Sequence, residues 1–236
     1  MTELADNYKR VIDLIAASAE KTGRSPEQIR LIAVSKTRSL EEVKSLLSLG
    51  QQAFAENTIQ DAMTKIPALS RTPAQWHFIG HLQSKKAKFI PGYFQWVHSI
   101  DSMKLAEKLS RAMQQYSVTA TLNGLIQVNV SREVSKSGVL TDELAGFIEQ
   151  LLQANLPGIH WRGLMTIGVN GDETRTRHAF TQLRQLQQKC RAEFNLKTFD
   201  QLSMGMSHDY RIAIEEGATM VRVGTAIFGL RGNLLT

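Results

Sequence analysis

Leu31-Ile32-Ala33-Val34-Ser35-Lys36-Thr37 is an apolar run that closes on a lysine. Four consecutive apolar residues suit a strand buried on both faces. Ser39-Leu40-Glu41-Glu42 follows with the form of a capping box, so a helix opens there. Lys36 therefore falls in a tight strand-to-helix turn at the carboxyl end of a strand, where α/β folds carry their chemistry. A lysine in that place has two uses. Its stem can pack while the ammonium reaches water. Alternatively, held among apolar groups and other cations, it loses its proton more easily, and the neutral amine attacks a carbonyl to form a Schiff base.

Working outward, Leu4, Tyr8, Val11, Ile12, Ile15 and Ala19 form a helical stripe that stops at Gly23, which predicts an extra helix over 4–22 before the first strand. The capped helix runs from Ser39 to Gly50. Further strands are predicted over 52–57, 76–80, 94–100, 122–130, 162–168, 199–205 and 220–224. Helices are expected between them over 58–68, from Gln83, from Asp101-Ser102 to Gln115, over 141–154, over 173–192 and from Ser207 to Gly217. Eight strand-helix units with no Pro/Gly-rich linker predict a (β/α)8 TIM barrel, one domain over 1–236. A doubly wound open sheet is the alternative. No G-x-G-x-x-G follows the first strand to support it.

The chain has 236 residues, of which 42% are hydrophobic, the range of an ordinary globular protein. Its single cysteine, Cys190, excludes an internal disulfide framework and a thiolate metal cluster within one chain, which fits a reducing compartment. The acidic start, Met1-Thr2-Glu3-Leu4-Ala5-Asp6, is unlike a signal peptide, and no apolar run approaches membrane-spanning length. A cytoplasmic protein is expected. The net charge of +6 is spread along the chain. The densest cluster, Lys85-Lys86-Ala87-Lys88, reads as a solvated helix face, and neither nucleic acid nor a membrane is expected as a partner.

If the barrel closes, the eighth strand lies beside the first and brings Arg222 next to Lys36. The loops Ser203-Met204-Gly205-Met206-Ser207 and Gly224-Thr225-Ala226 then follow strands seven and eight, where barrels often hold a phosphate. Their small residues let backbone N–H groups approach an anion.

Several of these stretches resemble one family. Ala33-Val34-Ser35-Lys36-Thr37, Trp76-His77-Phe78-Ile79-Gly80 with Leu82-Gln83-Ser84, Leu202-Ser203-Met204-Gly205-Met206-Ser207 and Val221-Arg222-Val223-Gly224-Thr225-Ala226-Ile227-Phe228-Gly229 are similar to the signature stretches of the pyridoxal phosphate homeostasis proteins. They occur in the family's order across essentially the whole chain. The resemblance implies a barrel related to the N-terminal domain of alanine racemase, with pyridoxal 5'-phosphate (PLP) held as an internal aldimine on Lys36. It places Arg222 opposite the pyridine nitrogen and Ser203, Gly224 and Thr225 at the phosphate, with Met204 and Gly205 nearby and Asn57 near the ring hydroxyl. Ala55 and Thr58 depart from the family's Phe-Gly-Glu-Asn-Tyr, Lys85-Lys86 from its Asn-Lys, and His81 from a small residue or proline. These changes fall on the pocket rim.

An arginine at the ring nitrogen has donors only and stays protonated, so it bonds that nitrogen only in its unprotonated form and leaves the cofactor a poorer electron sink. By resemblance, racemases add a second domain carrying a tyrosine base. Tyr210 is the one candidate of that type here, and helix packing is its simpler role. The expected function is therefore a PLP carrier that buffers the cofactor, delivers it to apo-enzymes and affects amino-acid and keto-acid balance indirectly, as a monomer without turnover of its own. The rivals are a PLP-dependent racemase or lyase, a Schiff-base aldolase using Lys36, and a structural or nucleic-acid-binding protein. His77 and His81 lack an acidic partner for a metal site, and none is expected. His208-Asp209 reads as helix capping, Cys190 as packing, and Glu133 with Lys136 as either a lid over the barrel mouth or a surface ion pair.

Overall fold

Eight parallel strands close into one ring in the computed structural model, which describes residues 2–230 apart from 134 and 170. The strands are β1 (Arg30–Val34), β2 (Ala53–Glu56), β3 (Gln75–Phe78), β4 (Trp96–Ile100) and β5 (Leu122–Asn129), then β7 (Ile159–Met165), β8 (Gln201–Ser203) and β9 (Met220–Val223). The ring closes where β1 pairs with β9, with Ile32 level with Arg222, and where β4 pairs with β5. A two-residue strand, β6 (Val139–Leu140), pairs with the end of β5. The fold is the (β/α)8 barrel that the sequence predicts, with the extra helix in front.

Pleating sorts the apolar residues into two cores. Ile32, Val34, Ala53, Ala55, Trp96, Leu125, Met165 and Met220 point inward and fill the barrel. Their neighbours Leu31, Ala33, Phe54, Phe78, Val97, Ile126, Leu202, Val221 and Val223 point outward into the larger core shared with the helices. That alternation explains why the strands read as continuous apolar runs. The helices are α1 (Glu3–Glu20), α2 (Leu40–Ser48), α3 (Ile59–Met63), α4 (Met103–Tyr116), α5 (Leu144–Gln153), α6 (Glu173–Glu193), α7 (Tyr210–Glu215) and α8 (Thr225–Phe228). The capping box of α2 is present: Ser39 Oγ accepts from the Glu42 N–H at 3.2 Å while the Glu42 carboxylate accepts from the Ser39 N–H at 2.7 Å. Val43 and Leu46 then bury its inner face, each side chain contributing about 1.5–3 kcal/mol. Helix α1 buries Val11, Ile15 and Ala19 and packs on α7 and α8, covering the seam where the barrel closes.

Several expected boundaries shift. The helix over 58–68 stops at Met63, because Pro67 has no N–H to continue it and opens a 3-10 turn, Pro67–Leu69. The basic stretch after Gln83 is a 3-10 turn, Ser84–Phe89, rather than an α-helix. Ser102 makes no capping bond, and the helix expected from Ser207 begins only at Tyr210. β7 starts at Ile159 rather than Arg162. The register slips past Arg162, where Trp161 pairs with Gly124 and Gly163 with Leu125. Gly163 has φ +147°, and a Cβ there would meet the Gln201 carbonyl oxygen at 1.9 Å, so this bulge needs a glycine. Among the described residues no helix is long and apolar enough to cross a membrane. Cys190 is buried in α6, as a packing residue should be.

Candidate functional site

The inward alternation of three adjacent strands continues past their ends: Ile32 and Val34 lead to Lys36, Ala53 and Ala55 to Asn57, and Met220 to Arg222 and Gly224. Lys36, Asn57, Arg222, Gly224 and Thr225 accordingly share one cavity of about 280 Å³ at the carboxyl-end mouth of the barrel. Ile79, Met165 and Ile167 supply its apolar wall, and Met206, Ser207 and His208 its rim on the β8 side. No carboxylate lines it among the described residues. Two cations with no lining acid suit an anionic ligand.

Arg222 is held from inside the barrel. It is 4% exposed and donates to Ser203 Oγ at 2.7 Å and to the Thr166 carbonyl at 2.9 Å. Burial lowers its pKa to about 10, opposed by Asp209, so the guanidinium stays protonated at neutral pH. Ser203 Oγ also lies 2.8 Å from His98 Nδ1, and His98 Nε2 lies 2.9 Å from His77 Nδ1. The direction of this chain follows from its ends. Arg222 can only donate, and the buried Ser203 hydroxyl, with His98 as its other side-chain neighbour, satisfies its own proton by donating it to His98 Nδ1. His98 therefore carries its proton on Nε2 and gives it to His77 Nδ1, leaving the His77 proton on Nε2, an atom with no partner. Both rings are neutral. Burial lowers the His77 pKa to about 3 and pushes His98 well down, helped at His77 by Arg30 and at His98 by His77, Arg222 and Arg30. Replacing Ser203 by alanine strips a buried donor and a buried acceptor of their shared partner. The expected loss is about 1–3 kcal/mol of stability, read from the urea midpoint.

Ser203, placed at a phosphate by resemblance, and Met204 and Gly205, placed near it, do not line the cavity. The Ser203 hydroxyl faces Arg222 and His98, Met204 is fully buried in the outer core, and Gly205 has φ +91° with Ala213 and Tyr210 packed where a Cβ would be. Strand parity explains this, since β8 ends at Ser203 with its side chain inward, below the mouth. Ser207 takes the rim position instead. Its Oγ accepts from the Gly224 N–H at 3.2 Å and the Ala226 N–H at 3.3 Å, so it ties the loop after β8 to the loop after β9 rather than capping a helix. Gly224 leaves little room: an added Cβ would stand 3.3 Å from the Val34 carbonyl oxygen. Asp209 likewise reaches back to the Met206 N–H at 2.5 Å instead of capping α7.

The remaining candidates resolve simply. Tyr210 is 4% exposed in the outer core, does not line the cavity, and has its hydroxyl pKa raised by burial. The described residues hold no group of three metal-ligating side chains. Lys136 pairs with Glu133 at 2.7 Å and donates to the Gly168 carbonyl at 2.9 Å, which fastens the loop after β5 to the chain beyond β7. A wider cavity of about 550 Å³ lies between the Ser84–Phe89 turn and α4, edged by Lys85, Lys88, Lys104, Lys108 and Arg111. All five are exposed side chains on the outer wall of the barrel. The smaller cavity is the better site because buried, hydrogen-bonded polar groups converge there. His98 is the residue that sequence reasoning missed, while Ser207 was read only as part of the phosphate loop and as a helix start, and His208 as helix capping. For His98 the signal is its spacing of two from the inward Trp96.

Comparison with known proteins agrees with this geometry. Residues 9–232 match the model of the alanine racemase N-terminal domain. A pyridoxal phosphate homeostasis protein of Pseudomonas aeruginosa is 43% identical over 232 residues, covering 98% of this chain and 97% of its own. Its counterpart in Vibrio alginolyticus is 41% identical, covering 98% and 99%. PipY of Synechococcus elongatus, solved with PLP bound, superposes with a TM-score of 0.79 at 33% identity, over 91% of this chain and all of its own.

Proposed function

We propose, because this chain belongs to the family of pyridoxal phosphate homeostasis proteins, that its barrel-mouth cavity takes PLP and that the protein buffers and delivers the cofactor. The observation that carries this reading is the pairing of Lys36 and Arg222 on adjacent strands in a cavity without a lining carboxylate. The donor set fits the cofactor. It offers a primary amine, a guanidinium with donors only, and a rim where two backbone N–H groups and a hydroxyl meet. When bound, PLP supplies an aldehyde that condenses reversibly with an amine. Lys36 is the amine positioned for it. Arg222 would face the ring nitrogen and accept it only in its unprotonated form, with Thr166 and Ser203, the latter backed by His98, keeping the guanidinium in place. Gly224, Thr225 and Ser207 would hold the phosphate, and Asn57 would lie near the ring hydroxyl.

The same residues argue for a carrier rather than an enzyme. A ring nitrogen held without a proton is a weak electron sink. Tyr210, the one tyrosine considered as a base, is packed in the outer core. The reading extends to a cytoplasmic monomer, one domain over 1–236, that passes PLP to apo-enzymes and so affects amino-acid and keto-acid balance indirectly.

The test is the visible spectrum of the purified protein after PLP is added, followed by borohydride reduction and peptide mass mapping. A yellow protein whose reduced pyridoxyl group maps to Lys36 is the expected result. A colourless protein that takes up no PLP would defeat the reading. Sustained release of deuterium from an α-deuterated amino acid would defeat the carrier role in favour of a racemase or lyase.

A further inference from the structure

Behind Lys36, on the outer side of the barrel wall, lies a buried cation that the function above does not use. Lys65 follows α3 and is 2% exposed. Its Nζ donates to the Ser35 carbonyl at 2.7 Å, to Glu56 Oε1 at 2.9 Å and to Asp61 Oδ1 at 3.0 Å. Glu56 Oε1 also accepts from Ser35 Oγ at 2.6 Å, and Asp61 Oδ2 accepts from the Thr37 N–H at 2.6 Å. The residues on either side of Lys36 are therefore both fastened to one ion cluster.

That fastening matters because of Thr37. It has φ +62°, the left-handed region, which a β-branched L residue avoids unless its surroundings impose it. Three bonds hold it there: the Arg38 N–H donates to the Ser35 carbonyl at 3.0 Å and closes a turn over Lys36 and Thr37, the Thr37 hydroxyl donates to the Lys36 carbonyl at 2.6 Å, and the Thr37 N–H donates to Asp61, which reaches in from outside the turn and is itself held by Lys65. Strand parity completes the picture. Ser35 turns outward to the cluster, so Lys36 turns inward to the cavity, and the strained turn at Thr37 sends the chain on to Ser39 and α2.

We propose that Lys65, Asp61 and Glu56 form a positioning group for Lys36, which acts through the backbone of Ser35 and Thr37 to hold the reactive amine at its place in the cavity. The inference rests on the PLP reading above. Lys65 itself is no rival nucleophile, since its three hydrogens are all committed and it does not line the cavity. The members of the cluster fail differently. Removing Lys65 leaves Glu56 buried without its cation, and removing Asp61 frees Thr37 while the Lys65–Glu56 pair survives.

The experiment uses the full chain and follows the PLP dissociation constant from the visible band, the site of borohydride labelling, and the thermal midpoint. Asp61→Ala is expected to weaken PLP binding about tenfold while the protein stays folded. Asp61→Asn, which keeps an acceptor for the Thr37 N–H, should recover most of that loss. Thr37→Gly should make binding nearly indifferent to Asp61→Ala, because glycine adopts the left-handed conformation unaided. Lys65→Met should weaken binding at least as much as Asp61→Ala, with a lowered thermal midpoint as well. Wild-type affinity in Asp61→Ala would overturn the proposal, as would an equal loss in the Thr37→Gly background. A wild-type protein that never labels at Lys36 would sink the PLP reading first and the positioning role with it.

Discussion

Replacing Lys36 by alanine is expected to abolish the covalent adduct with PLP while leaving the stability of the protein nearly unchanged. Two features of the structure separate these effects. Lys36 is half-buried at the barrel mouth, beyond the last inward apolar residue of β1, so its removal opens no hole in either core. Its neighbours Ser35 and Thr37 are held by their own bonds to Lys65 and Asp61, and these do not involve the Lys36 side chain. A mouth substitution of this kind changes stability by no more than about 0.5 kcal/mol. The adduct, by contrast, needs an amine in the cavity, and Lys36 is the one lysine among its lining residues. Arg222, Gly224, Thr225 and Ser207 remain in the variant, so a weak, non-covalent, salt-sensitive affinity for PLP should persist and be removed by excess inorganic phosphate. Mass spectrometry after borohydride reduction, paired with a thermal melt, measures both halves. A pyridoxyl group retained in the variant would show that another lysine is the carrier.

How much of this was legible in the sequence depends on the direction of the signal. The barrel could be read because each strand announces itself by an apolar run and each long helix by its stripe. The capping box at Ser39 even placed the start of α2. Lys36, Asn57, Arg222, Gly224 and Thr225 could be gathered because they continue strand alternation or follow a strand end directly. Ser203 and Ser207 were harder to read. Both are serines flanking the loop after β8, and deciding which one faces the mouth requires knowing that β8 stops after three residues. The chain from His77 through His98 to Arg222 spans β3, β4, β8 and β9, and nothing local in the sequence marks a hydrogen bond between residues 105 positions apart. Lys65 was invisible for a similar reason. It was expected inside a helix over 58–68, where nothing local marks a lysine as buried, whereas α3 stops at Met63 and Lys65 lies beyond it, 2% exposed.

The two buried histidines predict how the fold responds to acid. Unfolded, each titrates near 6.5, whereas folded His77 holds out to about pH 3 and His98 is also depressed well below its ordinary value. As pH falls below 6.5 the unfolded chain gains protons that the folded one refuses. Each histidine then removes about 1.4 kcal/mol of stability per pH unit. Glu56 opposes them. Burial raises its pKa to about 7, against Ser35 and Lys65, so between pH 7 and its ordinary value of 4.5 the folded state holds a proton that the unfolded one lacks. Acidification through that window returns about 1.4 kcal/mol per unit. While both rings stay neutral, two losses against one gain leave a net fall of about 1.4 kcal/mol per unit as pH drops below 6.5, steepening once the Glu56 gain is exhausted. Asp101, also raised by burial, softens the descent at more acid pH, while Asp61, held down by Thr37 and Lys65, adds to it. Urea midpoints at pH 7.5, 6 and 5 measure the slope. His98→Asn should flatten it, since His77 and Glu56 then cancel, and Glu56→Gln should double it. A wild-type midpoint that rises on acidification over this range would mean that the histidines take up protons in the folded barrel and leave only the Glu56 gain. They would then set new positive charge beside Arg222, and the ring-nitrogen contact would become the first part of the site to fail. With the chain neutral, as the burial of both rings requires, PLP binding should hold until the fold itself gives way.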